Sequence, residues 1–169
     1  MTATTPGAGP LTGRRAVVVT CSTRAATGVY PDRGGALVVE VLRGWGCDVA
    51  DATVVPDGPE VSEALAAALV GAPDLVITTG GTGLSPTDGT PEATRPLLDR
   101  DVPGLAEVIR ARGVANGIPT AVLSRGVAGL AGRTLVVNLP GSTGGVRDAL
   151  DVLVEVLPHA LDQVSGGDH

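Results

Sequence analysis

The sequence predicts an α/β fold, a three-layer sandwich in which helices cover both faces of a mostly parallel (mixed) central sheet. Short β-branched or aliphatic runs alternate with segments long enough for helices, the order that parallel strand units connected by helices require. Several of those runs lead directly into glycine-rich turns. The last two runs are joined by a stretch too short for a crossover helix, so that pair is expected to be antiparallel.

The elements follow in chain order. Ala16 to Thr20 (AVVVT) reads as the first strand, and residues 34–45 (GGALVVEVLRGW) are long enough for a helix stopped by Gly46. Val49 to Val55 reads as a second strand. Glu60 to Val70 sets Val61, Leu65, Ala68 and Leu69 along one helical stripe, and Leu75 to Thr78 supplies a third strand. Pro91 to Asp99 and Leu105 to Arg112 read as helices, with Thr90 as N-cap ahead of Pro91. Thr120 to Leu123 and Thr134 to Leu139 are the expected antiparallel strands. A last helix spans Thr143 to Leu157, with Pro158 to Val164 as a shorter continuation. Residues 1–13 and 165–169 lack periodicity and are expected to be loose tails around a single domain, residues 14–164.

Composition supports one core, since a domain typically holds about 100 to 200 residues and the chain has 169. That core has to be built from Val, Leu and Ala, because the sequence has no Phe, one Trp (Trp45) and one Tyr (Tyr30). No apolar run approaches the roughly 18 to 20 residues that span a bilayer, and the first residues lack a basic-then-apolar signal pattern, so a cytoplasmic protein without membrane contact is expected. Net charge is -6 and the 12 basic residues are scattered, which argues against nucleic acid as a partner. Cys21 and Cys47 lack metal-ligand spacing and read as small buried hydrophobes.

Ligands of such sheets bind beyond the carboxyl ends of the parallel strands. There the chain places CSTRAATGVYPDRG, PDG, GGTGLSPTDG and PGSTGG. Two of these are glycine-rich turns that open helices, where free amides bind anions, phosphates above all. Each has an ordinary structural reading as well: GGTG as a tight turn, Ser142 as a plain N-cap. Their convergence points to a phosphate-bearing ligand. Asp57 and Asp88 lie in the second and third loops, a pair of hard oxygen donors able to hold Mg²⁺ together with a nucleotide's phosphates. Taken singly, Asp57 could belong to a capping box with Glu60, and Asp88-Gly89 to a turn. The sequence contains neither GxxxxGK[ST] nor GxGxxG, and no GxSxG. His159 and His169 are the only histidines. A Ser-His-Asp hydrolase is therefore poorly supported, and His159 reads as a residue capping or covering a helix end.

The run TTGGTGLSPTDGTPEATRPLLDRDVPGLAEVIR, residues 78–110, resembles the signature of the Mog and MoaB proteins of molybdenum cofactor biosynthesis, a signature also found in the G domain of gephyrin. Residues 22–34 (STRAATGVYPDRG), 54–57 (VVPD) and 123–143 (LSRGVAGLAGRTLVVNLPGST) extend the resemblance, which covers about residues 14–164. It implies a molybdopterin adenylyltransferase, in which the terminal phosphate of molybdopterin attacks the α-phosphorus of ATP and pyrophosphate leaves. Carried over, the metal-organising and catalytic carboxylates fall on Asp57 and Asp88. The phosphate-cradling loop falls on Gly80, Gly81, Thr82 and Gly83, and the second substrate loop on Pro140, Gly141 and Ser142.

Ser22, Arg24, Thr79 and Ser85 complete the expected binding set, with Arg33 and Arg147 as further candidate phosphate contacts. The resemblance also implies Mg²⁺, a homotrimer or hexamer, and hand-over of product to a molybdenum insertase. Many members read Ser-Asp-Arg where this chain has Ser22-Thr23-Arg24. The PGST ending leans toward MoaB, some of whose members lack transferase activity, whereas TGVYPDRG leans toward Mog. A non-catalytic, MoaB-like molybdopterin-binding or carrier protein is the alternative reading.

Overall fold

The computed structural model describes residues 8–167. Its central strands are the valine-rich and leucine-rich runs: β1 (Arg15–Cys21), β4 (Leu75–Thr79) and β7 (Thr134–Leu139). Every residue of β4 and β7 is buried, as expected of parallel strands covered on both faces, which read as continuous apolar runs. Two short strands, β2 (Asp48–Val49) and β3 (Thr53–Val55), pair with successive parts of β1. On the other side lie β6 (Ala128–Ala131) and β5 (Arg100–Asp101). Among the described residues these seven strands form one sheet in the order β2-β1-β4-β7-β6-β5, with β3 beside β1. The pairs from β2 to β7 are parallel, and β7-β6 and β6-β5 are antiparallel.

Side chains alternate across the sheet, which splits the single core expected from composition into two. Val18, Leu75, Ile77 and Val137 meet α2 (Arg33–Gly44), α5 (Pro103–Ala115) and α6 (Thr143–Val164) on one face. Val19, Val76 and Val136 meet α3 (Pro59–Leu69) and α4 (Thr90–Thr94) on the other. The three layers are thus those the alternating pattern predicted. A one-turn helix, α1 (Thr23–Ala26), follows β1 directly.

Several local expectations are corrected. Thr120 to Leu123 is not a strand but part of a 3-10 helix, Pro119–Leu123. A short apolar run does not distinguish strand from helical turn, and Pro119 fixes a helical φ at its start. The antiparallel partner of β7 is instead β6, whose Gly129 and two alanines gave no β signal. The expected second strand breaks into β2 and β3 around Ala50 to Ala52. The expected helix 91–99 ends at Thr94 and continues as a 3-10 turn over Arg95–Leu97, where Pro96 interrupts it.

Gly89 rather than Thr90 is the N-cap of α4, and Gly58 caps α3 without a side-chain bond, so Asp57 forms no capping box. His159 covers no helix end: α6 runs unbroken through Pro158, and His159 bonds Gln163 one turn on at 3.0 Å. Of the expected loose N-terminal tail, residues 1–7 lie outside the described residues, while Leu11 is 2% exposed and its N–H bonds the Trp45 carbonyl at 2.8 Å. Of the expected C-terminal tail, residues 168 and 169 lie outside them, and Ser165 caps α6. Among the described residues, no helix is long and apolar enough to cross a membrane.

Candidate functional site

Because β1, β3, β4 and β7 run parallel, the four loops singled out in the sequence leave the sheet at the same edge. The loop after β4 opens on two glycines. Gly80 and Gly81 have φ of +89° and +66°, a region that costs a residue with a Cβ about 1 to 2 kcal/mol. Space adds to the requirement: a Cβ on Gly80 would lie 2.3 Å from the Cys21 carbonyl oxygen, and one on Gly81 would lie 2.2 Å from Thr90 Oγ1. The glycines therefore let the loop fold back onto β1 and α4. Thr79 donates to the Pro140 carbonyl at 2.7 Å, which ties the loop after β4 to the loop after β7.

Asp57 is held from one side only. The Thr23 N–H and hydroxyl both stand 3.2 Å from its Oδ2 and donate to it, while the Asp57 N–H donates back to Thr23 Oγ1 at 3.1 Å. Its Oδ1 is buried beside Gly81 with no hydrogen-bond partner among the described residues. Thr23 thus meets Asp57 with two neutral donors, its amide and its hydroxyl. Asp88 Oδ2 accepts from the Ser85 N–H at 3.0 Å, a turn that keeps the carboxylate folded over Gly83.

Around these loops lie two cavities that share Gly81, Asp88 and Gly141 as a common wall. The smaller, about 440 Å³, is lined by Asp32, Asp57, Arg24 and Arg33, with Ser22 and Thr79 beside them. Arg24 reaches it across the Tyr30 ring, 5.7 Å from the centroid. The larger, about 690 Å³, is walled by Ile109, Ile118 and Leu123, by Arg110 and Asp148, and by residues 81–83 and 140–142. At its edge Asn116 donates to Asp148 at 2.7 Å. Ser142 spends its hydroxyl on capping α6, accepting from the Gly145 N–H at 3.0 Å. Two expected contacts fall outside: Ser85 lines neither cavity and serves Asp88 through its amide, and Arg147 is exposed on α6 away from both.

Several residues of the site escaped the sequence reading. Thr23 is the neighbour of Asp57 just described. Asn138, 3% exposed, donates to the Thr78 and Thr94 hydroxyls at 3.0 and 3.1 Å and accepts from the Val127 N–H at 3.1 Å, under the loops. Arg125 donates to the Gly83 and Asp88 carbonyls, each at 2.9 Å, and pairs with Glu92, whose carboxyl it holds below the usual range. The signal for Arg125 was its place in the LSRGVAG stretch. The Cys21 thiol is pushed up to about 11 by burial, with the charge of Asp57 adding to the effect and the Thr90 hydroxyl opposing it. It stays protonated and inert at neutral pH.

A hard divalent cation fits this setting. Among the described residues no three His, Cys, Asp or Glu cluster as ligands, and Mg²⁺ needs no such cluster: it keeps several waters and takes one or two carboxylates with substrate phosphates. Asp57 Oδ1, which has no partner among the described residues, and the Asp88 carboxylate, facing the same cavity, are such donors.

Residues 17–159 match the family described as "Probable molybdopterin binding domain". The chain is 37% identical over 156 residues to the molybdenum cofactor biosynthesis bifunctional protein of Chlorobaculum tepidum, covering 92% of this chain and spanning 50% of that relative's length. It is 34% identical over 153 residues to the molybdopterin adenylyltransferase of Helicobacter pylori strain J99, covering 88% of this chain and 86% of that one. Among solved structures, the molybdopterin biosynthesis Mog protein from Mycobacterium ulcerans superposes with a TM-score of 0.85 at 54% identity, over 90% of this chain and 99% of that one.

Proposed function

Because the chain belongs to the molybdopterin-binding domain family, we propose that it is a molybdopterin adenylyltransferase of molybdenum cofactor biosynthesis. A terminal phosphate oxygen of molybdopterin forms a bond to the α-phosphorus of ATP. The bond from that phosphorus to the bridging oxygen breaks, and pyrophosphate leaves with the electron pair. The observation that carries this reading is the pair of cavities meeting at Gly81, Asp88 and Gly141. Joining two substrates through their phosphates requires two pockets and one shared seam.

Such a transfer asks little covalent chemistry of a protein and much positioning and charge neutralisation. Asp57 and Asp88 would hold Mg²⁺, which when bound offsets charge on the α-phosphate and on the leaving pyrophosphate. The chain's own groups do the rest. Amides of the GGTG loop and of the α6 start face phosphate oxygens, and Arg24 and Arg33 supply positive charge to the smaller cavity. Thr23 keeps Asp57 oriented through Oδ2, leaving Oδ1 for the metal. In line with the resemblance, assembly as a homotrimer or hexamer, action in the cytoplasm and hand-over to an insertase are part of the proposal.

The test is pyrophosphate release from ATP with Mg²⁺, with and without molybdopterin. Release is expected only with both substrates. Asp88→Asn is expected to lower kcat by about 10²-fold or more, as for other groups that stabilise developing charge. Full turnover by that variant would remove Asp88 from the reaction. A second reading, a non-catalytic carrier, draws on the PGST spelling of residues 140–143. Molybdopterin binding without pyrophosphate release would favour it.

A further inference from the structure

We propose that Arg125 is the positioning residue for the Asp88 carboxylate, its guanidinium fixing both ends of the 83–88 loop so that Asp88 faces the seam between the two cavities. This rests on the reading above in which Asp88 acts in adenylyl transfer.

The loop's own bonds are local. Asp88 Oδ2 accepts from the Ser85 amide at 3.0 Å, the Asp88 amide donates to the Ser85 carbonyl at 2.9 Å, and the Ser85 and Thr87 hydroxyls lie 3.3 Å apart. These bonds shape a turn but do not orient it against the rest of the molecule. Arg125, far away in sequence, does. Its Nε donates to the Gly83 carbonyl where the loop begins, and one terminal nitrogen donates to the Asp88 carbonyl where it ends. The other terminal nitrogen pairs with Glu92 on α4, the helix that follows. The Arg125 backbone N–H also donates to the Thr82 carbonyl at 2.8 Å.

Only a planar fork with donors in three directions serves two carbonyls and a carboxylate at once. A lysine ammonium is a single point of charge on a flexible stem and cannot reproduce it. The arrangement is not a core device. The Arg125 side chain keeps 32% of its exposure, and among the described residues its guanidinium bonds only to the loop and to α4. Its consequence is confined to where Asp88 points. A displacement of about 1 Å in such a group costs about 10²-fold in rate.

The experiment compares wild type, Arg125→Lys, Asp88→Asn and the double variant in steady-state kinetics, with amide hydrogen exchange on the same proteins. Arg125→Lys is expected to melt cooperatively, to keep KM for ATP and molybdopterin, and to lose about 10²-fold in kcat. In the Asp88→Asn background the same change is expected to cost nothing further, because residues acting as one unit are non-additive. Exchange is expected to quicken at the amides of Ser85 and Asp88 and to stay as in wild type along β4 and α6. Additive losses, or a raised KM with kcat retained, would overturn the proposal. If wild type itself releases no pyrophosphate, the adenylyltransferase reading fails, and Arg125 is then judged by exchange alone: protection of the loop unchanged in Arg125→Lys overturns its role in either case.

Discussion

At the scale of the residue, Gly81 shows how tightly the site is specified. Its φ of +66° and the 2.2 Å that would separate a Cβ from Thr90 Oγ1 are independent obstacles to any side chain. Thr90 is itself buried at the start of α4 and cannot swing aside. Gly81→Ala should therefore combine a left-handed backbone penalty with overpacking, about 2 to 4 kcal/mol together. Gly144 offers the control. It sits in the first turn of α6 with nothing within 4 Å of an added Cβ, so Gly144→Ala should be neutral or stabilising by up to about 1 kcal/mol. Urea unfolding of the two variants checks this, and equal stabilities would contradict the strain assigned to Gly81. Thr23 makes a related point: the sequence shows that no acid stands there, but only the fold reveals that its hydroxyl and amide grip Asp57.

At the scale of the element, Asn138 is the link beneath the loops. It lies on β7 opposite Thr78 of β4, reaches Thr94 at the end of α4, and receives the Val127 N–H just before β6. Asn138→Ala would leave that amide without its partner and open a small cavity. A loss of about 2 to 4 kcal/mol is expected in urea unfolding with an unchanged m-value; a loss below about 1 kcal/mol would show that the network contributes no net stability.

The same region marks the limit of what could be read from the sequence. The parallel strands and their order of alternation were legible because their Val and Leu runs are buried on both faces. Strand β6 was not, since Ala128, Gly129 and Ala131 carry no β-branched signal and only pairing with β7 and β5 makes them a strand. The strand expected over Thr120 to Leu123 arose from an apolar run that is in fact half exposed, with Val122 at 59% and Leu123 at 48%. Misplacing that element put Arg125 at the end of a supposed strand, away from Asp88, and hid its contacts. The glycines and carboxylates of the site were legible because loop chemistry is local; their supports were not, because those come from residues distant in the chain.

At the scale of the whole molecule, the sheet edge divides the space above it in two. On one side the charged loop after β1 and Asp57 after β3 frame the smaller cavity; on the other, α5 and the 3-10 helix Pro119–Leu123 wall the larger one. Between them runs the seam of Gly81, Asp88 and Gly141. If the two substrates of the proposed transfer occupy one cavity each, the binding energies of the two are separable even though their reaction is not. Arg33→Ala, in the smaller cavity, and Asn116→Ala, in the larger, should each raise KM for a single substrate, a different one in each case, by about 10-fold with kcat nearly retained. That pattern follows from losing a contact made equally in the bound and transition states. Asp88→Asn, on the seam, should instead lower kcat with both KM values near wild type. The measurement is a two-substrate kinetic matrix for the three variants. Both cavity variants raising KM for the same substrate would mean that one ligand spans the seam, and the assignment of one substrate to each cavity would fall.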